Sequence, residues 1–213
     1  MMNELPDTTA RRKAAGREWA LVILGAWLMG SICTSVVATQ NFYTIDRLLA
    51  ASPNDHFRSA VAQLGQPQAR DLLRYLSSEL NRLYFQLWNG AQLGFGAIGL
   101  WLIVRSRDEN PIYLGRAARA VAAMLVIVIA MAAWLTPAIV SLGRSLDFVP
   151  REPPPAGMQR FWVLHAAYTS LEMFKLLIGA VAAWWMVRAR REAFGQPLRT
   201  GVGEPFRAGE PGR

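Results

Sequence analysis

Four apolar stretches, each long enough to cross a lipid bilayer, limit what this chain can fold into more than any other feature. A membrane span needs about 20 mainly apolar residues. The stretches cover residues 19–39, 83–104, 117–142 and 161–187. Charged residues make up only 18% of the chain, below the usual quarter of soluble domains. We therefore predict an all-α fold, an integral membrane four-helix bundle.

The first stretch, "WALVILGAWLMGSICTSVVAT", follows a basic segment, as the apolar part of a signal peptide would. It is about 20 residues long, whereas a signal peptide has 7–15 apolar residues followed by a small-residue cleavage site. We expect an uncleaved anchor, with residues 1–17 as a cytoplasmic N-terminal segment and residues 18–191 as the membrane domain. The Gly-, Pro- and Arg-rich tail, residues 192–213, is expected to be disordered.

The segment 40–82, between the first two spans, is predicted to form a small helical cap outside the membrane. In "SPNDHFRSAVAQLG" we expect a short helix with Pro53 at its first position, ending at Gly65. From Pro67 to Val104 the apolar spacing is helical without a breaker. Such a helix is about 57 Å long at 1.5 Å per residue. It would project well beyond a hydrocarbon layer of about 30 Å.

Basic residues at the ends of the spans predict the orientation of the bundle, because short cytoplasmic loops carry an excess of Lys and Arg. The short loop on the other side holds only Arg144, Arg151 and Arg160. Both termini are therefore expected in the cytoplasm, and helical spans favour the inner (plasma) membrane. The basic residues on the cytoplasmic side are Arg11, Arg12, Lys13, Arg17, Arg105, Arg107, Arg116, Arg119, Arg188, Arg190 and Arg191.

Charged and polar residues inside the spans form the candidate site. Glu172 and Lys175 lie one helical turn apart in the fourth span, with Lys175 close to the predicted middle of the bilayer and Glu172 in its outer half. A charge there costs about 2.5–3.5 kcal/mol on insertion scales, so the pair should face protein or water. We predict a polar seam between the second and fourth spans, with the first span nearby. Its residues are Glu172, Lys175, His165, Tyr168, Thr169, Arg82, Gln86, Asn89 and Gln92.

Several interpretations of this seam remain open. A Glu–Lys pair with amides can simply fix the register of the helices. It can also serve a proton- or ion-coupled pathway, with Glu172 as the titrating group and Lys175 tuning it. A small polar or lipid-derived ligand could bind at the outer mouth, lined by His165, Tyr168, Arg82 and Trp88. Catalysis is the remaining alternative, although no catalytic residue is predicted.

Other chemistry finds little support in the sequence. The two histidines fall on different elements, so no metal site is predicted. The chain has no phosphate-binding loop, dinucleotide fingerprint or nucleophile elbow, and no cofactor is expected. Cys33 is a lone cysteine inside a span, where a buried small hydrophobe is expected. The net charge of +8 follows from span-flanking residues, so nucleic acid is not an expected partner.

Three stretches resemble small four-span bacterial membrane proteins of unknown function. They are the first span leading into "TQNFYTIDRLLA", the entry "ELNRLYFQLWNGAQLGFG" to the second span, and "RFWVLHAAYTSLEMFKLLIGAV" in the fourth. The resemblance covers about a third of the chain. It implies a four-span bundle and no established activity, and it transfers no functional residue.

These features together predict a non-enzymatic membrane component. We expect a structural or interaction role in the lipid bilayer, with a membrane-protein partner or as a homo-oligomer. A small proton- or ion-coupled transporter or channel that uses the polar seam is the alternative.

Overall fold

The protein is all-α over the part of the chain that its structure describes. The structure, a computed structural model, describes the backbone of residues 8–195 and the side chains of residues 12–192. Most of the predicted disordered tail lies outside the described residues, while its first residues continue the last helix. The helices are α1 (Thr8–Ala51), α2 (Asp55–Leu64), α3 (Gln66–Arg105), α4 (Pro111–Ala130), α5 (Thr136–Ser145) and α6 (Met158–Gly195).

Four helical segments are long and apolar enough to cross a membrane, as the sequence predicts. They are Arg12–Ala51, Gln66–Arg105, Pro111–Ser145 and Met158–Glu192. Only 22–28% of the residues in their most apolar windows are buried inside the bundle. The remaining apolar surface is far larger than the patches that soluble monomers expose, so it needs lipid or another apolar partner to cover it.

The long helices pack around the bundle in a ring. Helix α1 packs along α3, α3 along α4, α4 along α6, and α6 along α1. Helices α3 and α6 therefore lie across the diagonal of the bundle. We expected these two, the second and fourth spans, to face each other through a polar seam with the first nearby. Their backbones are not neighbours in the ring, but long side chains such as Lys175 and Gln92 meet across the diagonal.

Small residues bring neighbouring helices close together in the core. A Cβ atom added to Gly30 on α1 would lie 2.1 Å from the ring of Trp88. One added to Gly96 on α3 would lie 2.3 Å from Leu125. Glycine at these positions therefore lets large side chains pack against bare backbone, as in many membrane helix pairs.

The third long helix contains a wide turn before its proline. Residues Met131–Leu135 are π-helical and join α4 to α5, and the N–H of Thr136 donates to the carbonyl of Met131. Proline in a helix interior clashes with the preceding turn and lacks a donor. The helix accommodates Pro137 through a π-bulge, a common cause of helix distortion.

The segment between α1 and α3 folds back on both helices. Ile45, Leu49 and Ala69 form a small buried cluster, and Phe57 and Val61 of α2 pack against it. The amphipathic helix α2 thereby buries its apolar face on the extensions of α1 and α3.

Helix α2 begins two residues later than predicted. Asn54 is its N-cap, and the Asn54 side chain accepts a hydrogen bond of 2.8 Å from the backbone N–H of Phe57. Pro53 therefore precedes the helix rather than occupying its first position. The physical reason is that asparagine is among the strongest N-cap residues, since its side chain satisfies a free N–H of the first turn.

Ion pairs hold the start of α1 to the turn between α3 and α4. Arg17 lies 2.7 Å from Glu109, and Lys13 lies 2.9 Å from Asp108. The hydrogen bond and charge of Lys13 lower the pKa of Asp108, whereas burial raises the pKa of Glu109 against the opposing charge of Arg17. The hydroxyl of Ser106 also donates to the carbonyl of Lys13 at 2.9 Å.

A matched pair of glycines on α1 tests the close packing. We expect Gly30→Ala to lower the free energy of unfolding by about 1–3 kcal/mol, because its Cβ overlaps the ring of Trp88. Gly25→Ala should be neutral or stabilising, since nothing lies within 4 Å of the added Cβ. Thermal unfolding in detergent, followed by circular dichroism, measures both. Equal stability of the two variants would contradict the packing of α1 against Trp88.

Candidate functional site

A continuous set of buried polar side chains occupies the centre of the bundle. All four long helices contribute to this set, which we call the polar cluster. Each of its members is at most 7% exposed. They are Trp27 and Ser31 on α1, Asn89 and Gln92 on α3, Thr136 on α5, and Glu172 and Lys175 on α6.

The ammonium group of Lys175 is the centre of the polar cluster. Its side chain is 0% exposed, and its Nζ lies 2.7 Å from each carboxylate oxygen of Glu172. Nζ also donates to the hydroxyl of Ser31 at 3.3 Å and to the side-chain carbonyl of Gln92. The ring of Trp27 lies beneath it, with its centroid 5.9 Å away. The charge is therefore balanced by a carboxylate and solvated by neutral acceptors and an aromatic face.

Gln92 connects Lys175 to the other helices. Its Oε1 accepts from the indole N–H of Trp27 at 3.0 Å as well as from Lys175. Its Nε2 donates to Asn89 at 3.4 Å, and Asn89 donates to the hydroxyl of Thr136 at 3.1 Å. The hydrogen bonds thus run from α6 through α3 to α5 and include α1. A network of this kind restricts the register of all four helices at once.

Exposed tryptophans place the Glu172–Lys175 pair at mid-depth along α6. Trp162 is 60% exposed and Trp184 is 51% exposed. The two are about 33 Å apart at 1.5 Å per helical residue, close to the hydrocarbon thickness of about 30 Å. On the same scale Glu172 is about 15 Å from Trp162 and about 18 Å from Trp184. Tryptophan is enriched at membrane interfaces, so the pair lies near the middle of the apolar zone.

Four of the predicted seam residues meet in the polar cluster, namely Asn89, Gln92, Glu172 and Lys175. Two more lie on the same face of α6 but make other contacts. The ring of Tyr168 packs edge-on against Phe85, with centroids 5.2 Å apart. The ring of His165 contacts that of Phe161 in a tilted arrangement, with centroids 4.4 Å apart.

Arg82 serves a separate ion-pair group near the loop after α5. Its guanidinium lies 2.9 Å from Asp147 and also pairs with Glu79, which Arg144 approaches to 3.6 Å. Gly143 lacks a side chain where Arg82 passes, and a Cβ there would lie 3.3 Å from the guanidinium. Arg82 therefore fastens α3 to the end of α5 and takes no part in the polar cluster.

The predicted ligand site at the outer mouth is not assembled as expected. Arg82 is engaged by Asp147, His165 by Phe161, and Trp88 packs against Gly30 of α1. Trp88 points toward α1, and Tyr168 contacts α3 through Phe85 rather than through Arg82 or Trp88. The described contacts thus give each of these side chains a different partner.

Gln86 and Thr169 do not belong to the polar cluster, and their prediction as seam residues is corrected here. Both are exposed on the outer surface of their helices. Each precedes an inward residue, Asn89 or Glu172, by three positions. Three residues turn a helix about 60° short of a full turn. The predicted seam therefore covered a wider part of each helix than the face that is buried. Gln86 and Thr169 lie outside that buried face.

Trp27, Ser31 and Thr136 also belong to the polar cluster but were not predicted as site residues. Ser31 and Thr136 are polar residues within spans, and their partners are not evident from the sequence. Trp27 and Ser31 are one turn apart on α1, so both can face the same group. The signal that could have found Ser31 is the demand of a buried ammonium for acceptors from neighbouring helices.

A shallow groove of about 780 Å³ opens beside the start of α6. His165 does not line it, although its walls include residues on either side of His165 in sequence. Among the described residues, no three histidine, cysteine or carboxylate side chains come together as metal ligands would. The groove is lined by Pro154, Pro155, Met158, Trp162, Val163 and Ala166, among others.

Comparison with known proteins provides no relative for this site. No protein-family model matches the chain, and no curated protein and no solved structure is significantly similar to it. The resemblance to four-span bacterial membrane proteins therefore receives no support from these comparisons.

Two glutamines on α3 test whether the polar cluster holds the bundle together. We expect Gln92→Leu to lower the free energy of unfolding by about 3–5 kcal/mol, because Lys175 and Trp27 both lose an acceptor in a buried site. Gln86→Leu, on the exposed face of the same helix, should be neutral or stabilising. Thermal unfolding in detergent distinguishes the two. A Gln92→Leu variant as stable as Gln86→Leu would contradict the role of Gln92.

Proposed function

We propose that the protein is a multi-pass inner (plasma) membrane protein with both termini in the cytoplasm. In this proposal it acts as a non-enzymatic structural or interaction component, with a membrane-protein partner or as a homo-oligomer. The single observation that carries the proposal is the fully buried ammonium of Lys175, balanced within the bundle by Glu172, Gln92 and Ser31. A saturated cluster of this kind is suited to hold helices in register.

Aromatic and basic residues support the membrane placement. Trp19, Trp101 and Trp184 are exposed toward one end of the bundle, and Trp162 is exposed toward the other. The three at the first end form a belt of the kind that is typical of a bilayer face. Lysines and arginines at span ends are concentrated on the side of this belt, which favours the cytoplasm for that side.

The energetics of buried ion pairs support a structural role for the polar cluster. Removing one partner of a buried pair leaves an uncompensated charge and costs about 3–5 kcal/mol. Replacing both partners with apolar side chains is often neutral or stabilising. A structural cluster therefore has a signature that a working transport site lacks, because only the structural one tolerates the loss of both charges.

The test compares a single and a double substitution. We expect Glu172→Gln to reduce folding yield and thermal stability, since Lys175 then keeps a buried charge without a carboxylate. The double variant Glu172→Leu with Lys175→Leu should recover most of the loss. Yield from detergent-solubilised membranes and thermal unfolding measure both effects. A double variant less stable than Glu172→Gln would contradict the structural role.

Proton- or ion-coupled transport is the second candidate function. The observation that favours it is the position of Glu172, at mid-depth and 7% exposed, with Tyr168 and His165 on the same helix face toward one end. A row of titratable groups along one helix face is typical of proton pathways in membrane proteins.

Reconstitution distinguishes the two candidates. If the protein transports protons, vesicles with an imposed potential and an internal pH-sensitive dye should show proton flux that the double-leucine variant abolishes. The structural proposal expects no flux above that of empty vesicles for either protein. Flux in the wild type that a well-folded Glu172→Gln variant loses would favour transport and reject a purely structural role.

A further inference from the structure

Two arginines at one end of the bundle stack on exposed tryptophans. Arg105 of α3 lies 5.5 Å above the ring of Trp101, and Arg188 of α6 lies 4.8 Å above the ring of Trp184. Both rings are half-exposed or more, at 57% and 51%. These distances are within the range of cation–π attraction.

The two pairs lie at the same end, which we call the basic end. There α3 finishes at Arg105, and α1 meets both the α3–α4 turn and α6. Arg17 of α1 contacts Glu109 of that turn at 2.7 Å, and Glu18 contacts Arg190 of α6 at 3.3 Å. Helices α3 and α6 thus present their Arg–Trp pairs at one level, on opposite sides of the bundle.

The same residue spacing produces both pairs. On α3 an exposed Ile98 is followed by Trp101 and Arg105, and on α6 an exposed Val181 is followed by Trp184 and Arg188. Steps of three and four place each set on one face of its helix. Each face therefore offers, in order, an apolar surface, an aromatic ring and a cation at the end of the span.

The two guanidinium groups carry charge that the bundle does not neutralise. Within residues 12–192 neither Arg105 nor Arg188 forms an ion pair, whereas Arg58 and Arg70 at the other end pair with Asp55 and Asp46 at 2.9 and 3.1 Å. Stacking uses the flat face of a guanidinium and leaves its N–H donors at the edge. Those donors match two phosphate oxygens at once.

We infer that each Arg–Trp pair binds the phosphate of an anionic phospholipid. The acyl chains of that lipid lie along the apolar face below the tryptophan, on Ile98 of α3 or Val181 of α6. The inference rests on the proposed membrane placement and identifies a ligand class for the basic end. Tryptophan belongs at the headgroup level of a bilayer, and the arginine one turn beyond it reaches the phosphate layer.

The test uses the purified full chain in detergent. Added phosphatidylglycerol should raise the midpoint of thermal unfolding, whereas phosphatidylcholine, with a phosphate but no net charge, should have a much smaller effect. In the double variant Arg105→Gln with Arg188→Gln, the apparent affinity for phosphatidylglycerol should fall by roughly tenfold or more. Soluble glycerol phosphate should give no shift, which separates a lipid site from a site for free phosphate.

The control removes the same charge elsewhere. Arg58→Gln with Arg70→Gln should keep the wild-type response to phosphatidylglycerol. The inference is overturned if both double variants lose the response equally, if neither loses it, or if glycerol phosphate reproduces it. Native mass spectrometry of the wild type provides a test without any variant. Retention of phosphatidylglycerol over phosphatidylcholine supports the inference, and equal retention contradicts it.

Failure of this inference is distinguishable from failure of the membrane placement. Alkaline carbonate extraction of cell membranes shows whether the chain is integral. Release of the chain into the soluble fraction contradicts the placement itself. A chain that stays in the membrane but shows no preference for anionic lipid contradicts only the role of Arg105 and Arg188.

Discussion

The arrangement of the helices is constrained by the positive charge of Lys175 at the centre of the bundle. Lys175 is 0% exposed near the centre of the apolar bundle, and a group of this kind is tolerated only if its charge is balanced and its donors are used. Glu172 supplies the balance from the same helix, but the remaining acceptors come from α1 and α3. The relative positions of these helices therefore follow from the requirements of a single ammonium group.

Hydrogen bonds within the polar cluster also fix the position of the third long helix relative to Lys175. Gln92 and Asn89 pass hydrogen bonds from Lys175 to Thr136, just after the π-helical stretch Met131–Leu135. Apolar side chains alone provide little register specificity between membrane helices, because lipid is as apolar as leucine. Polar contacts at the centre and close packing at Gly30 and Gly96 supply that specificity.

Two arginines at the basic end differ from those that pair with carboxylates. Arg58, Arg70 and Arg82 at the end that holds α2 have carboxylate partners, and so do Arg17 and Arg190 at the basic end. Arg105 and Arg188 instead stack on tryptophans and keep their donors at the surface. These two cations suit the basic end to an anionic surface.

The periodicity of apolar residues predicted helix bounds well where these bounds depend only on the segment itself. The helix expected from Pro67 to Val104 extends over Gln66–Arg105, because apolar spacing and the absence of breakers act within the segment. The start of α2 was misplaced because proline also suits a first helical position, and spacing does not rank Pro53 there against a cap at Asn54. Gln86 and Thr169 were misassigned because the spacing of polar residues shows which of them share a helix face, but not how much of that face is buried.

The sequence by itself determined that the chain is all-α, that four segments are long and apolar enough to cross a membrane, and that Glu172 and Lys175 lie one turn apart. These properties are local, since they depend on hydrophobic length and helical spacing. Only the tertiary structure decided that Trp27, Ser31 and Gln92 surround Lys175, and that α3 and α6 meet across a diagonal. Those facts depend on how four helices rotate and order themselves, and that arrangement is set by contacts between residues far apart in the chain.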